Sequence, residues 1–245
     1  MDDIYAVILA AGLGKRLRTG DIDAPKCLRE AGGEPLLSHV LRELDMPRER
    51  VILVVGYRRE DVTARFPEYT FAVQEAQLGT GHAAQRAEPL LRDYDGAVLV
   101  ACADMPLLKN ATYRELIDRH TADGNDCTIL ADLYDSPEPP PAFGRIVREN
   151  GVFSRIVEAR DCTPEQLVIR ELNAGLYVFD ARRLWDALGR LDNKNAQGEL
   201  YLTDVPQIIA SRGGKVGVHA KTLGDEVTGV NTLEDLEKVD RLLRG

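Results

Sequence analysis

The sequence has few cysteines, no long hydrophobic run and no excess of positive charge. Its four cysteines, Cys27, Cys102, Cys127 and Cys162, lack any paired metal-binding spacing, and no charged and then apolar leader precedes the first apolar stretch. These two observations favour a reduced, cytoplasmic setting. Because no apolar run approaches the roughly 20 residues that a membrane helix needs, we expect no membrane partner.

The balance of charge also excludes some partners. The chain has 40 acidic and 31 basic residues, which give a formal net charge of -9. A chain with this charge is poorly suited to coat nucleic acid or an anionic membrane, so we expect no nucleic-acid partner. An anionic small ligand is still compatible with it, because such a ligand needs only a local basic pocket.

What the chain does contain is enough apolar sequence for a large core, with 44% hydrophobic residues over 245 positions. Short β-branched runs alternate with stretches of helical spacing, which predicts an α/β fold with a largely parallel sheet covered by helices. The predicted helices span residues 35–44, 79–91, 111–122, 181–191 and 231–243. After a proline-rich stretch, "FGRIVRENGVFSRIVEARD" predicts a small inserted β hairpin that turns at residues 149–151. We predict one domain of residues 1–245.

A glycine-rich turn, "ILAAGLGKRL" at residues 8–17, follows the first apolar run. It matches neither of two common phosphate motifs. Arg16 stands where a Walker A loop has Ser or Thr, and Leu17 stands where a dinucleotide fingerprint has glycine or alanine. The small residues 10–12 would let a ligand approach the backbone, whose amides supply positive potential together with Lys15 and Arg16. From these residues alone, the turn is either a phosphate cradle or a tight turn with surface bases.

The turn and the residues after it resemble a known family. A small-small-Gly-x-Gly-x-Arg turn, a variable loop and then Pro-Lys-x-Leu, here "PKCL" from Pro25, is typical of the sugar-1-phosphate nucleotidyltransferases. The chain most resembles the uridylyltransferase domain of the bifunctional N-acetylglucosamine-1-phosphate uridylyltransferases / glucosamine-1-phosphate acetyltransferases. The resemblance implies a Rossmann-like, mixed and mostly parallel sheet. It also implies transfer of UMP from UTP to N-acetylglucosamine 1-phosphate with Mg²⁺, which yields UDP-N-acetylglucosamine and pyrophosphate.

The resemblance extends along the whole chain. "QEAQLGTGHAAQRA" at residues 74–87 is similar to the family's nucleotide-base segment, and "NAQGELYLTD" at residues 195–204 is another long match. The nucleotide-binding residues that it implies are Leu9, Ala10, Ala11, Gly12, Leu13, Gly14, Lys15, Gln74, Gln77, Gly79 and Thr80. The implied sugar-binding residues are Gly144, Glu158, Asn173, Tyr201 and Thr203. His82 is expected to be structural, because the proposed reaction needs no proton transfer.

Three residues are expected to act on the phosphates: Arg16, Lys26 and Asp104. By resemblance, Arg16 and Lys15 hold the departing pyrophosphate, and Lys26 neutralises the α-phosphate. Asp104 follows an apolar strand, where a carboxylate near a phosphate turn is suited to Mg²⁺. In the family this aspartate is a magnesium ligand, and its partner is an asparagine, here Asn231. From the sequence alone, Asn231 is also a candidate cap for the last helix, and the two roles are compatible.

The resemblance further divides the chain by function. Residues 1–110 are expected to bind the nucleotide, residues 111–230 mainly the sugar, and residues 231–245 to form the last helix. The loop at residues 17–24 is longer than usual, and Cys102 and Ala103 replace residues more common before the metal aspartate. The family's bifunctional enzymes continue into a left-handed β-helix that this sequence lacks. We therefore expect either a free-standing enzyme or a separate domain, and self-association is left open.

Two alternative functions fit the same residues. One is a nucleotidyltransferase for another nucleotide or sugar phosphate, such as a molybdenum-cofactor guanylyltransferase or a cytidylyltransferase. The other is a non-catalytic protein that senses nucleotide sugars. Transferases of the first kind are not expected to share "QLGTGHA" and "NAQGELYLTD", and pyrophosphate release, measured beside binding alone, separates a sensor from an enzyme.

Overall fold

The computed structural model describes residues 4–14, 17 and 24–245. Its strands are β1 (Ile4–Leu9), β2 (Glu30–Ala31), β3 (Glu34–Pro35), β4 (Val51–Val55), β5 (Thr70–Val73), β6 (Ala97–Cys102), β7 (Cys127–Leu133), β8 (Arg145–Glu149), β9 (Val152–Val157), β10 (Glu171–Asp180) and β11 (Val216–Lys221). Its helices are α1 (Leu36–Leu44), α2 (Arg59–Arg65), α3 (Thr80–Gln85), α4 (Glu88–Leu91), α5 (Asn110–Asp123), α6 (Pro164–Leu167), α7 (Ala181–Leu188), α8 (Val205–Ser211) and α9 (Leu233–Arg244).

A mixed sheet forms the centre of the fold. Its strands lie in the order β11-β7-β10-β6-β1-β4-β5, and β8 and β9 extend it from β10. Every strand of this order except β10 points the same way, because β10 is antiparallel to both β6 and β7 while the other neighbouring pairs are parallel. The predicted α/β fold with a mostly parallel sheet is confirmed. The carboxyl ends of β1, β4, β5 and β6 therefore meet at one edge.

Apolar side chains are buried on both faces of this sheet. Leu37 of α1 and Leu116 of α5 belong to the cluster on one face, and Ala84 of α3 and Leu184 of α7 belong to the cluster on the other. All five residues of β4 are buried, as a parallel strand covered on both faces requires. Helices on both faces leave the strand ends as the open part of the sheet.

The inserted hairpin of β8 and β9 turns where the sequence predicts. Asn150 and Gly151 adopt positive φ angles of 52° and 78°, as a two-residue type I′ turn requires. The pairing of β8 with β9 is irregular between Val147 and Arg148. The hairpin attaches to the main sheet through Arg145, which pairs with Leu172 of β10. The hairpin thus projects from the antiparallel strand.

The predicted helix at residues 79–91 is instead two short helices, α3 and α4. Pro89 lies in the first turn of α4. Proline has no N–H group to donate to the carbonyl four residues earlier, so it cannot continue a helix that began at residue 80. The chain therefore starts a second helix after Ala87.

The expectation that Asn231 caps the last helix is wrong. The Thr232 side chain accepts a hydrogen bond from the backbone N–H of Asp235 (3.2 Å), and the Asp235 carboxylate accepts one from the N–H of Thr232 (2.8 Å). This reciprocal capping box makes Thr232 the cap. The side chain of Asn231 instead accepts a hydrogen bond from Lys26.

All four cysteines lie in the described part of the chain and are free thiols. Over residues 4–14 and 24–245, the helices are all too short or too polar to cross a membrane. The cytoplasmic setting expected from the sequence stays a prediction.

Candidate functional site

A cavity of about 440 Å³ opens at the carboxyl ends of the parallel strands. Its wall includes residues 9–14 at the end of β1, Gln74 and Gln77 after β5, and residues 103–104 after β6. Open α/β sheets bind ligands at this edge. We call this space the first cavity. It is also lined by Lys26, Cys27, Gly79, Thr80, Ala83, Cys102, Glu199 and Asn231.

Residues 9–14 of the glycine turn form one wall of the first cavity. The N–H of Ala10 donates to the Val54 carbonyl (2.8 Å), which continues the parallel ladder one residue beyond β1. Gly14 has a φ of +57°, and a Cβ atom there would lie 3.1 Å from Cβ of Lys26. The turn therefore needs glycine for its backbone angle and packs directly on the stem of Lys26. The predicted residues Lys15 and Arg16 lie outside the described residues, so their roles stay predictions.

Three predicted residues meet in one polar contact on the floor of the cavity. The Lys26 ammonium forms an ion pair with the Asp104 carboxylate and donates a hydrogen bond to Oδ1 of Asn231 (2.9 Å). The Lys26 side chain is 15% exposed and that of Asp104 is 25% exposed. Residues 205 positions apart in the chain thus converge on one point.

The oxygens of this contact fit a magnesium ion. Mg²⁺ requires hard oxygen ligands, and it usually takes one or two from the protein while waters and substrate phosphates supply the rest. Asp104 offers a carboxylate oxygen, and Asn231 offers an amide oxygen that faces the same point. Within the described part of the chain, no group of three or more His, Cys, Asp or Glu side chains could hold a metal. The protein would therefore supply a partial coordination sphere.

Gln74 is buried, with 3% exposure, and its amide has a fixed orientation. Its Nε2 donates to the Gly79 carbonyl (3.0 Å) and lies 3.1 Å from Nδ1 of His82. The imidazole thus holds the amide in place, in the structural role expected for His82. That Gln74 hydrogen-bonds a nucleotide base stays a prediction.

The base segment and the "NAQGELYLTD" segment pack against each other at a glycine. Gly79 has a φ of +118°, and a Cβ atom there would lie 2.4 Å from the Leu200 carbonyl oxygen. The N–H of Gly81 donates to the same carbonyl (2.8 Å), and Oγ1 of Thr80 accepts from the N–H of Leu202 (3.0 Å). These contacts explain why both strings are found in one chain, because each provides the packing surface of the other.

A second cavity, of about 410 Å³, is lined by three of the predicted sugar-binding residues. Oγ1 of Thr203 donates to Oε1 of Glu158 (2.9 Å), and the Tyr201 hydroxyl accepts from Nε2 of Gln197 (2.8 Å) and donates to Asp161 (3.4 Å). Glu158, Tyr201 and Thr203 thus lie together in a cavity that is distinct from the first.

Two carboxyls of this second cavity retain their protons to a higher pH than usual. Burial raises the pKa of Glu158. Burial, together with the nearby carboxylates of Asp192, Glu158 and Asp161, raises the pKa of Asp204 to about 6. Carboxyl groups of this kind can exchange hydrogen bonds with the hydroxyl groups of a ligand.

The remaining two predicted sugar-binding residues lie elsewhere. Gly144 and Asn173 are joined by a backbone hydrogen bond (2.8 Å), and the Asn173 side chain donates to the Tyr177 hydroxyl (2.7 Å). A Cβ atom at Gly144 would lie 2.9 Å from the Ile156 side chain. Packing of the hairpin on β10 leaves no room for a side chain at Gly144, and neither residue lines the two cavities, so their role in sugar binding stays a prediction.

Several residues of the first cavity escaped the sequence reasoning. Glu199 lines it although only its string was recognised. At Gly56 a Cβ atom would lie 2.9 Å from the Gln74 carbonyl and from Nε2 of Gln77, so this glycine lets two segments close together. Burial raises the pKa of Cys27 and Cys102 to about 12, which keeps both thiols neutral and unreactive. An isolated Gly, Glu or Cys has no sequence signal to distinguish it.

Comparison with known proteins gives consistent results. A family model described as a MobA-like NTP transferase domain matches residues 6–201. Two curated proteins named Bifunctional protein GlmU, from Caldanaerobacter subterraneus subsp. tengcongensis and Thermoanaerobacter pseudethanolicus, are 39% and 40% identical over 247 residues. Each alignment covers 100% of this chain and 52% of the relative, so the chain spans about half the length of the curated relatives it matches.

The fold also matches a solved structure. A crystal structure of a Bacillus anthracis protein described as a glucose-1-phosphate thymidylyltransferase, in complex with sucrose, superposes with a TM-score of 0.73. The superposition covers 98% of this chain and 95% of that chain, at 20% sequence identity. At this identity the similarity shows the fold alone.

Proposed function

Because the chain belongs to the MobA-like NTP transferase domain family, we propose that it is a uridylyltransferase. In this reaction it transfers UMP from UTP to N-acetylglucosamine 1-phosphate and releases pyrophosphate, and the product is UDP-N-acetylglucosamine. The relatives named Bifunctional protein GlmU, at 39% and 40% identity, support this proposal.

The observation that carries this proposal is the first cavity. There the glycine turn, the base segment that starts at Gln74 and the contact of Lys26 with Asp104 and Asn231 line one space at the carboxyl edge of the sheet. A binding site for a nucleoside triphosphate needs these three features together. They are backbone amides for the phosphates, a polar pocket for the base, and positive charge that balances the negative charge of the reacting phosphate.

The reaction requires the protein mainly to position the two substrates and to supply positive charge. The sugar phosphate oxygen is already an anion, so the in-line displacement at the α-phosphorus needs no general base. The protein must bring two anions together and stabilise the negative charge that the transition state carries. Among the described residues of the first cavity, Lys26 is the only cationic side chain, and we assign it to the α-phosphate. The sugar hydroxyls exchange hydrogen bonds with Glu158, Tyr201 and Thr203.

We propose that Asp104 and Asn231 hold Mg²⁺. When bound, the ion would add positive charge beside the phosphate oxygens, as metal ions do in phosphoryl transfer. The protein's own contribution is to aim both oxygens at one point near the glycine turn.

A panel of pyrophosphate-release assays tests the proposal. The full chain is mixed with each of four nucleoside triphosphates and several sugar 1-phosphates, in Mg²⁺ and in EDTA. We expect the highest rate with UTP and N-acetylglucosamine 1-phosphate, and no turnover in EDTA. Lys26→Ala should lower kcat at least about tenfold without loss of the circular-dichroism spectrum. Lys109→Ala is the matched control, because Lys109 is 70% exposed and only weakly paired with Glu226 at 4.0 Å.

Each contrary outcome identifies an alternative. A highest rate with GTP or CTP, or with another sugar phosphate, would make the chain a nucleotidyltransferase of different specificity. Binding of UTP without pyrophosphate release from any mixture would favour a nucleotide-sugar sensor. Near wild-type turnover of the Lys26→Ala protein would remove Lys26 from the reaction.

A further inference from the structure

The Lys26 ammonium occupies the point that the two metal-ligating oxygens face. It forms an ion pair with Asp104 and lies 2.9 Å from Oδ1 of Asn231. Both side chains of the ion pair are mostly buried, so water screens their charges little. The charge of Asp104 is therefore already neutralised by a cation from the same chain.

A divalent ion cannot bind these oxygens while the ammonium stays there. The ammonium and the metal would carry like charges within a few ångströms, in a partly buried site where they repel strongly. The amide of Asn231 has one carbonyl oxygen, and its lone pairs would have to serve both cations. The metal must therefore displace Lys26 from Asp104 and Asn231.

The backbone around Lys26 lets its ammonium move while its stem stays fixed. Pro25 precedes a short 3-10 turn at Lys26–Leu28, which holds the backbone. Gly14 of the glycine turn packs on the Lys26 stem, with 3.1 Å between the Cβ position of Gly14 and Cβ of Lys26. The ammonium is carried on four flexible carbons that begin beside the turn. Rotation about these bonds can take it from Asp104 toward an anion at the turn.

We infer that Lys26 is an internal cation that competes with the divalent metal for Asp104 and Asn231, and that phosphates bound at the glycine turn draw it away. The second half of this inference rests on the proposed function, because it requires a nucleotide at the turn. Metal and nucleotide then assist each other. The phosphates remove the competing charge, and the metal removes the carboxylate that holds Lys26 back, so each raises the affinity for the other.

The competition is tested first with Mn²⁺ alone, in the absence of nucleotide. The affinity of the full chain for Mn²⁺ is measured by calorimetry or by the electron paramagnetic resonance signal of free Mn²⁺. We expect Lys26→Met to bind Mn²⁺ at least about tenfold more tightly than the wild type, because the competing ammonium is gone. Lys109→Met should bind like the wild type, and Asp104→Asn should abolish binding in both backgrounds. Lys26→Gln replaces Lys26→Met if the latter does not fold.

An unchanged or weaker Mn²⁺ affinity in folded Lys26→Met or Lys26→Gln would overturn the inference. That result would leave the proposed function standing if the wild type still releases pyrophosphate. Conversely, a protein without turnover on any substrate pair would lose the proposed function, and the Mn²⁺ result would still decide the competition.

The release by phosphates is tested with UTP in EDTA. Asp104→Asn should bind UTP several-fold more tightly than the wild type, because Lys26 is then free to reach the phosphates. Loss of the negative charge of Asp104 could also tighten UTP binding without any movement of Lys26. The double variant Lys26→Met/Asp104→Asn therefore completes a double-mutant cycle. We expect the gain to disappear when Lys26 is absent. A gain of equal size in both backgrounds would contradict the role of Lys26 in release.

Discussion

At the scale of single residues, the two cavities handle charge in opposite ways. In the first, Lys26 neutralises Asp104, and an anion can exchange places with the carboxylate. In the second, several carboxyls lie together, with Lys194 paired to Asp192 at 3.8 Å, and burial raises the pKa of both Glu158 and Asp204. The first arrangement suits phosphates, and the carboxyls of the second can exchange hydrogen bonds with hydroxyl groups.

The raised pKa of Asp204 makes stability depend on pH in a specific direction. Its pKa is about 6 in the folded protein, against 3.8 for the ordinary group. As the pH rises, the unfolded chain therefore loses this proton at a lower pH than the folded protein does. The stabilisation that protonated Asp204 contributes is complete below about pH 4 and is lost as the pH rises to about 6. We expect Asp204→Asn to raise the free energy of unfolding by about 1 kcal/mol at pH 8, after allowance for solvent screening, and to change it little at pH 4. Urea unfolding at both pH values measures this.

Asp186 provides a control of opposite sign. Its carboxylate accepts hydrogen bonds from Arg190, which lowers its pKa. Ionised Asp186 therefore contributes its stability at neutral pH and loses it on acidification, so Asp186→Asn should destabilise the protein at pH 8. If Asp204→Asn also destabilised the protein at pH 8, burial would not be the dominant influence on Asp204.

At the scale of elements, one buried guanidinium holds the inserted hairpin to its neighbours. Arg145 in β8 is 1% exposed and donates to the carbonyls of Pro141 (2.9 Å), Phe143 and Leu167 (3.2 Å). The Arg145 side chain therefore joins the proline-rich loop to the end of α6. Proline cannot donate a backbone hydrogen bond, so carbonyls in this loop gain a donor from outside it.

Replacement of Arg145 should loosen this whole region. We expect Arg145→Met to lower the free energy of unfolding by about 2 to 4 kcal/mol, because it removes the hydrogen bonds that a buried guanidinium donates to three carbonyls. Arg148→Met is the matched control in the same strand. Arg148 pairs with Glu171 near the surface, so its loss should cost about 1 kcal/mol or less. Thermal or urea unfolding of both variants measures the difference, and equal costs would rule out the proposed role of Arg145.

Elements with a strong repeating pattern are those that the sequence predicted well. The sequence predicted the apolar runs of β1 and β6, the hairpin turn at residues 149–151 and the start of α5, because burial on both faces or a type I′ turn restricts the residues allowed. The division of residues 79–91 into α3 and α4, and the short helices α2, α6 and α8, were not predicted. Such elements are only one or two turns long, and tertiary packing decides them more than local pattern does.

At the scale of the whole molecule, chain order hides which residues meet. Motif resemblance brought Lys26, Asp104 and Asn231 into one hypothesis, but not the ion pair between Lys26 and Asp104. It also grouped Gly144 and Asn173 with Glu158, but it did not predict the backbone hydrogen bond that joins the first two. Contacts across such separations depend on the order of strands, which local sequence does not specify.

The same strand order bears on whether the chain is one domain. Strand β10, from the second half, lies between β6 and β7 and pairs with both. The proposed nucleotide and sugar halves thus share one continuous sheet, and neither has a complete sheet without the other. A core that crosses the boundary between the two halves should unfold as one unit, although a chain of 245 residues is longer than most two-state domains.

Trp185 allows a direct test of this unity. It is the single tryptophan, and it lies in α7 of the second half, packed against the buried cluster that also contains Val54 of β4 and Ala84 of α3. Its fluorescence reports on the second half, while far-ultraviolet circular dichroism reports on the whole chain. We expect both signals to give one urea transition with the same midpoint, because the strand pairs of β10 couple the halves. A fluorescence transition at a clearly different midpoint would mean that residues 1–110 and 111–230 unfold independently, and would contradict the single domain.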